Sequence, residues 1–256
     1  MTAALKFTFA GTANARGVPC WGCPCPACKR ARAEPGYQRW PACGILQAGA
    51  QTWLVDAADF RAPQHFMPED LSGAFITHYH LDHVYALMHM RWGKGARLKV
   101  YGPDDPDDID DLFAHPGALD FSTHTRAFQT LHFDDLAVTP LPLNHDRPCH
   151  GYLFERQGHR FAYLTDTHGL PDATLDYLRE HRPEALAVDC NTPPDRPEPT
   201  THNSLDGALA IHHAIKPERT LLTHIGHDLD SWLMTDGEQS LPADVLLAHD
   251  GMAIEF

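Results

Sequence analysis

Residues 73–84 read Gly-Ala-Phe-Ile-Thr-His-Tyr-His-Leu-Asp-His-Val, which packs His78, His80, Asp82 and His83 into six positions. The apolar run before them predicts a short strand ending at Thr77. An amphipathic helix carrying Val84, Leu87, Met88 and Met90 is expected to start just after. At such a turn the four side chains can converge from one end of the strand. Neutral imidazoles and a carboxylate together suit divalent transition metals such as zinc, manganese, iron or nickel. Two histidines two positions apart face the same way on extended backbone. Asp82 and His83 then turn to another side, so the stretch predicts two metal positions.

This H-x-H-x-D-H cluster resembles the metal signature of the metallo-β-lactamase superfamily of hydrolases. The resemblance implies an αββα sandwich and three further ligands, each at the end of an apolar run. His145 follows Leu136–Asn144, Asp166 follows Arg160–Thr165, and His224 follows Arg219–Thr223. Ligands gather at strand ends because the sheet is rigid there and the loops are free to carry function. The rest of the chain alternates in the same manner. Strands are expected at 6–10, 44–48, 52–57, 97–101, 128–133, 150–156, 185–189, 244–248 and 252–256. Helices are expected at 81–91, 171–181 and 204–215, with a helical turn near 106–115. Gln157-Gly158 reads as a hairpin turn, and the proline-rich segment 192–199 as a loop.

At 256 residues the chain is expected to form one large hydrolase domain over its full length. It has no apolar run of membrane-spanning length and no signal-peptide pattern at its start, so the expectation is a cytoplasmic protein with no membrane partner. The formal charge of −14 argues against a broad footprint for nucleic acid. Seven cysteines would suit disulfides in a secreted chain, but Cys23, Cys25 and Cys28 form C-x-C-x-x-C in a proline-rich loop at 20–28. In a reducing compartment that spacing reads as a metal site. Three thiolates need a fourth ligand for tetrahedral zinc. His227 is the candidate, three residues beyond His224, with His89 and His150 as substitutes. Cys20, Cys43, Cys149 and Cys190 read as packing residues.

Further stretches narrow the resemblance. They are Phe-Ala-Gly-Thr-Ala-Asn (9–14) before the cysteine loop, Met-Arg-Trp-Gly (90–93), Pro-Leu-Pro-Leu-Asn-His (140–145), Tyr-Leu-Thr-Asp-Thr (163–167), Thr-His-Asn-Ser (201–204) and Leu-Thr-His-Ile-Gly-His (222–227). Together they resemble the PhnP family, phosphodiesterases that are accessory to the carbon–phosphorus lyase pathway of phosphonate catabolism. The likeness runs from about residue 5 to Asp250–Met252. It departs at Ala13, where a glycine is expected. It implies a structural zinc on Cys23, Cys25, Cys28 and His227, a catalytic role for His202, manganese as catalytic metal with zinc or nickel as substitutes, and a homodimer. The implied substrate is 5-phospho-α-D-ribosyl 1,2-cyclic phosphate, opened to ribose 1,5-bisphosphate. A tRNA 3′-processing nuclease or a general cyclic-nucleotide phosphodiesterase would use the same metal site.

The chemistry assigns His78, His80 and His145 to one metal, and Asp82, His83 and His224 to the other. Asp166 should bridge, because a carboxylate offers two oxygens. Paired metals neutralise a phosphodiester and activate water at neutral pH. Asp82 counts with His202 among the candidate catalytic residues. His202 could protonate the departing sugar oxygen. Arg147, two positions past His145, could meet a substrate phosphate but reads first as a surface charge.

Overall fold

The computed structural model describes residues 4–105, 107, 109–194, 201–237 and 241–256. Strand β1 (Lys6–Gly11) leads to helix α1 (Pro26–Ala33), the hairpin β2 (Cys43–Ala48) and β3 (Gln51–Val55), α2 (Ala62–His65) and β4 (Gly73–Phe75). Next come α3 (Leu81–Met90), β5 (Leu98–Gly102), α4 (Asp110–Ala114) and β6 (Leu119–His124). The second half starts with β7 (Leu131–Phe133), β8 (Leu136–Pro142), β9 (His150–Arg156), β10 (His159–Leu164), α5 (Asp172–His181) and β11 (Ala185–Asp189). It closes with α6 (Leu205–Ile215), β12 (Arg219–Thr223), α7 (His227–Trp232), β13 (Val245–Leu247) and β14 (Ala253–Glu255).

These strands form two seven-stranded sheets, β14-β1-β2-β3-β4-β5-β6 and β13-β12-β11-β10-β9-β8-β7. In the first, β14 through β3 are antiparallel and β3 through β6 parallel. In the second, β7 through β10 are antiparallel and β10 through β13 parallel. The inner faces share a core rich in aromatic rings, with Phe7, Phe9, Trp53, Phe75, Phe154 and Phe161 all buried. Phe7 of one sheet lies 4.7 Å, centroid to centroid, from Phe161 of the other. Each such ring is worth roughly 1.5–3 kcal/mol when taken out of water, so the inter-sheet seam is the rigid base of the molecule. The outer face of the first sheet is covered by α2, α3 and α4 through Ala62, Val84, Leu87 and Leu112. The second is covered by α5 and α6 through Leu178, Leu205, Ala208 and Ile211. This is the expected αββα sandwich.

Several boundaries moved for local reasons. The expected strand 128–133 begins only at Leu131, because Phe128 sits at φ 60° and turns the chain. Strand β3 stops at Val55, since Asp56 also takes a left-handed φ of 55°. Strand β6 was not expected. It is the edge of its sheet, half exposed, and Leu-Asp-Phe-Ser-Thr-His has no continuous apolar run. The helical turn near 106–115 is α4, although residues 106 and 108 lie outside the described set. Residues 195–200 of the expected loop 192–199 likewise lie outside it. The hairpin turn stands: Gln157 and Gly158 both adopt positive φ, 53° and 87°. The loop at 20–28 needs correction, because Cys25 caps α1 and Pro26, Ala27 and Cys28 form its first turn.

Candidate metal centre

The parallel strands of both sheets end on one edge, and the polar residue after each apolar run is delivered there. Asp56 follows β3, His78 lies just beyond β4, Asp166 lies just beyond β10, Asp189 ends β11 and His224 follows β12. His80 is the N-cap of α3, and Asp82 and His83 occupy its first turn. His224 sits at φ 57°, a left-handed conformation that aims its ring away from the strand direction.

Three ring nitrogens meet at one point. His78 Nε2 is 2.9 Å from His80 Nδ1, and His145 Nε2 is 3.1 Å from the same atom. Beside them, Asp82, His83 and His224 bring one ligand atom each within 4.8 Å of one another. Asp166 lies between the groups. Its Oδ2 is 3.3 Å from His83 Nε2 and 3.9 Å from His78 Nε2, while its Oδ1 is 3.3 Å from His224 Nε2. Both expected trios come together with Asp166 between them, and Asp166 also groups with His78 and His83 and with Asp189, His202 and His224.

The donor set fits metal ions. His83 Nε2, His224 Nε2 and Asp166 Oδ1 are buried without a hydrogen-bond partner. Each would cost roughly 1–3 kcal/mol if left so, and a cation between them removes the deficit. Two of the opposite ring nitrogens are held from behind, as those of metal-ligating histidines usually are. His83 Nδ1 lies 2.8 Å from Asp56 Oδ2 and His145 Nδ1 is 3.1 Å from the carbonyl of Thr201, whereas His224 Nδ1 faces Asp189 Oδ1 at 3.4 Å without a hydrogen bond. Burial, and then the charge of His83, push His78 well below the usual histidine range, towards the neutral ligating form. Burial resists charge on His83, but Asp166, Asp56 and Asp82 outweigh it and hold the ring well above that range. Burial likewise opposes ionisation of Asp166, yet His224, His83 and His78 keep it well below the carboxylate range.

His202 stands at the edge of this group. Its Nδ1 is 2.9 Å from Asp189 Oδ2 and 3.8 Å from Asp166 Oδ2. Burial lowers its pKa, but the charge and hydrogen bond of Asp189 prevail and raise it to about 9. A cleft of about 390 Å³ opens over His80, Asp82, Asp166, His202 and His224. Asn14 and Asn191 wall its other side, joined by an amide hydrogen bond of 2.7 Å.

Two residues were missed from sequence. Asp56 accepts from the Thr77 backbone amide at 2.8 Å as well as facing His83, and Asp189 holds His202 at 2.9 Å and faces His224 at 3.4 Å. Both end apolar strands, the signal that pointed to Asp166, but neither belongs to a recognised motif. Arg147 needs correction too. It is pinned to Asp105 at 2.7 Å and donates to the carbonyl of Tyr79 at 3.1 Å, so it braces the backbone between His78 and His80.

The cysteine cluster lies nearby. Sγ of Cys23 and Sγ of Cys25 are each 3.6 Å from His227 Nδ1, and all four ligand atoms, Cys28 included, fall within 4.8 Å. Tetrahedral zinc with Zn–S of ~2.3 Å and Zn–N of ~2.0–2.1 Å would place S and N about 3.6 Å apart, so the donors fit zinc without rearrangement. Burial opposes the Cys25 thiolate, but hydrogen bonds with Ser231, the Cys28 amide and His227 lower its pKa to about 6. Burial raises Cys28 to about 12, with the neighbouring Cys25 adding to the rise. His89 and His150 are not in the cluster.

Residues 51–225 match the family model described as the β-lactamase superfamily domain. A crystal structure of a diphosphatase from the PhnP family superposes with a TM-score of 0.82 at 27% identity, covering 98% of this chain and 97% of that one. An octanoyltransferase of Porphyromonas gingivalis is 26% identical over 97% of this chain but 51% of its own length. A ribonuclease Z of Bacteroides thetaiotaomicron is 31% identical over 43% of this chain and 40% of its own. The chain thus spans about half the length, or less, of these curated relatives. No described helix is long and apolar enough to cross a membrane.

Proposed function

The chain belongs to the β-lactamase superfamily, and from that premise we propose that it is a two-metal hydrolase of phosphate esters, acting on the cyclic diester of 5-phosphoribose. The observation that carries this reading is the pairing of the metal ligands with His202 at the rim of one cleft. His78, His80 and His145 would hold one divalent ion, and Asp82, His83 and His224 the other, with Asp166 shared. Bound there, such ions supply Lewis acidity to a phosphoryl group and make water acidic enough to attack near neutral pH.

The rest of the work falls to the chain. Asp189 accepts a hydrogen bond from Nδ1 of His202, which fixes the tautomer and turns the other ring nitrogen outward. A ring held protonated near neutral pH is suited to give its proton to a departing alkoxide. Asp56 and the Thr201 carbonyl fix the rings of His83 and His145, so the ligands need little reorganisation when substrate arrives. Cys23, Cys25, Cys28 and His227 would hold a structural zinc that ties α1 to α7. Leu81, Tyr85 and Trp92 are exposed at helical spacing on and just beyond α3, and we assign that stripe to a contact between two copies of the chain.

A second reading has its own support: the PhnP-family relative is a diphosphatase, so a phosphoanhydride is the other candidate bond. A substrate panel tests both on manganese-loaded protein. It comprises the phosphoribosyl cyclic phosphate, a 2′,3′-cyclic nucleotide, a nucleoside diphosphate, an aryl diester, a thioester and a precursor tRNA. The cyclic sugar phosphate should have the highest kcat/KM. Highest turnover of the thioester or the precursor tRNA would defeat the proposal.

A further inference from the structure

The cleft over the metal ligands has one arginine in its lining, Arg16. The arginines elsewhere in this acidic chain are mostly committed: Arg39, Arg61, Arg91, Arg147 and Arg156 each pair with a carboxylate. Arg16 is exposed, and its guanidinium has no hydrogen bond or ion pair among the described residues. Its backbone, by contrast, is fixed. The Arg16 amide donates to Asn14 Oδ1 at 3.0 Å, the Gly17 amide donates to the Asn14 carbonyl at 3.0 Å, and the Asn14 side chain donates to Asn191 Oδ1 at 2.7 Å. The Asn14 amide donates to the Ile225 carbonyl at 3.3 Å, beside His224. A cation is therefore presented to the cleft from a turn tied to the same strand ends that deliver Asp189 and His224.

Charge explains what such a cation is for. Carboxylates crowd the ligand set: Asp82, Asp166 and Asp189 lie within it, and Asp146 Oδ1 is 3.1 Å from His145 Nε2, so they offset most of the charge that two divalent ions would bring. A loaded centre can take the single charge of a diester. A second anionic group on the substrate, away from the scissile bond, meets Asp228 in the lining and needs a partner of its own. We propose that Arg16 clamps a second phosphate of the substrate, so that the cleft selects doubly phosphorylated molecules over singly charged diesters. This rests on the phosphate-ester reading and adds to it the residue that reads the second phosphate. A planar guanidinium suits the task because it can grip two phosphate oxygens at once.

The test compares the wild type with Arg16→Met and Arg16→Lys, each loaded with manganese. Calorimetry measures the Kd of ribose 1,5-bisphosphate and of ribose 1-phosphate. The wild type should prefer the bisphosphate, and Arg16→Met should reduce that preference ten- to a hundredfold, with Arg16→Lys in between. The ratio of kcat/KM for the phosphoribosyl cyclic phosphate over bis(4-nitrophenyl) phosphate should fall by a like factor, through KM. An unchanged preference overturns the proposal, as does an equal loss on both ligands, which would place Arg16 at the reacting phosphate or in the fold. If the wild type turns over neither substrate, the functional reading fails, and the binding preference still decides the clamp.

Discussion

The molecule holds two candidate metal-ligand clusters that share a four-residue segment and differ in almost everything else. His224 serves the cleft and His227 the cysteine cluster, with Ile225 and Gly226 between them. The cleft set is built on the ends of sheet strands, uses imidazole and carboxylate, and opens into about 390 Å³. The cysteine set sits where α1 and α7 begin, uses thiolates, and closes four donors upon themselves. A closed tetrahedral set leaves no position for substrate, whereas an open mixed set does. On the proposed reading, ligand chemistry and setting together separate support from reaction.

The sharpest way to break that contrast is to remove the carboxylate shared within the cleft. Asp166→Asn keeps the size of the side chain but loses its charge and one ligating oxygen. At least one catalytic metal should be lost by elemental analysis, and turnover should fall to background, while the zinc on the cysteines is retained. Full occupancy with normal turnover would show that another carboxylate bridges.

His202→Ala comes next. Metals and fold should persist. On a sugar diester, whose leaving alkoxide is strongly basic, kcat should drop by about 10²–10⁴, the usual worth of a general acid. On a nitrophenyl diester the loss should be far smaller, because that leaving group needs little protonation. Equal losses would make His202 a phosphate binder, and metal loss would make it a ligand.

Asp56→Asn probes the support behind the cleft. Its carboxylate faces His83 Nδ1 at 2.8 Å, so the amide should weaken catalytic metal affinity by roughly 10–100-fold without removing a ligand. Titration with a chelator reads this directly. An unchanged affinity would mean that the packing of α3 alone orients His83.

How much of this was legible depends on what each residue signals locally. The strands that place the site are buried apolar runs, and His145, Asp166 and His224 stand out because a polar residue stops each run. Asp56 and Asp189 end runs in the same way, but an aspartate after a strand is also an ordinary turn residue. Only the ring each one touches gives it a role. Strand β6 was hidden by its edge position, where alternate side chains face solvent. Helix α1 was hidden by Pro26 and the cysteines, which read as loop although proline is well suited to a first helical turn. Arg147 looked like a surface charge because its partner Asp105 lies 42 positions away in sequence.

Cys25→Ser should have the smallest effect on turnover and is the most direct test of the contrast. Cys25 caps α1 while its sulfur faces His227, so the substitution removes a candidate zinc ligand, whereas serine can still cap the helix. Zinc content should fall by one per chain. If ~3 kcal/mol of the ~10–16 kcal/mol typical of structural zinc is felt by the whole fold, Tm should drop by roughly 6–12 °C. The folded fraction should keep both catalytic metals, because His224 is anchored independently of His227. The Ile225 amide donates to the Thr12 carbonyl at 2.8 Å. Gly226 packs so closely on Asn191 that a Cβ there would lie 2.4 Å from its carbonyl oxygen. Turnover per folded molecule should therefore change by less than tenfold. A collapse of turnover with the fold intact would mean that strain in the cysteine cluster passes through Ile225 and Gly226 to His224, and that the two clusters act as one. Unchanged zinc stoichiometry would remove Cys25 from the ligand set altogether.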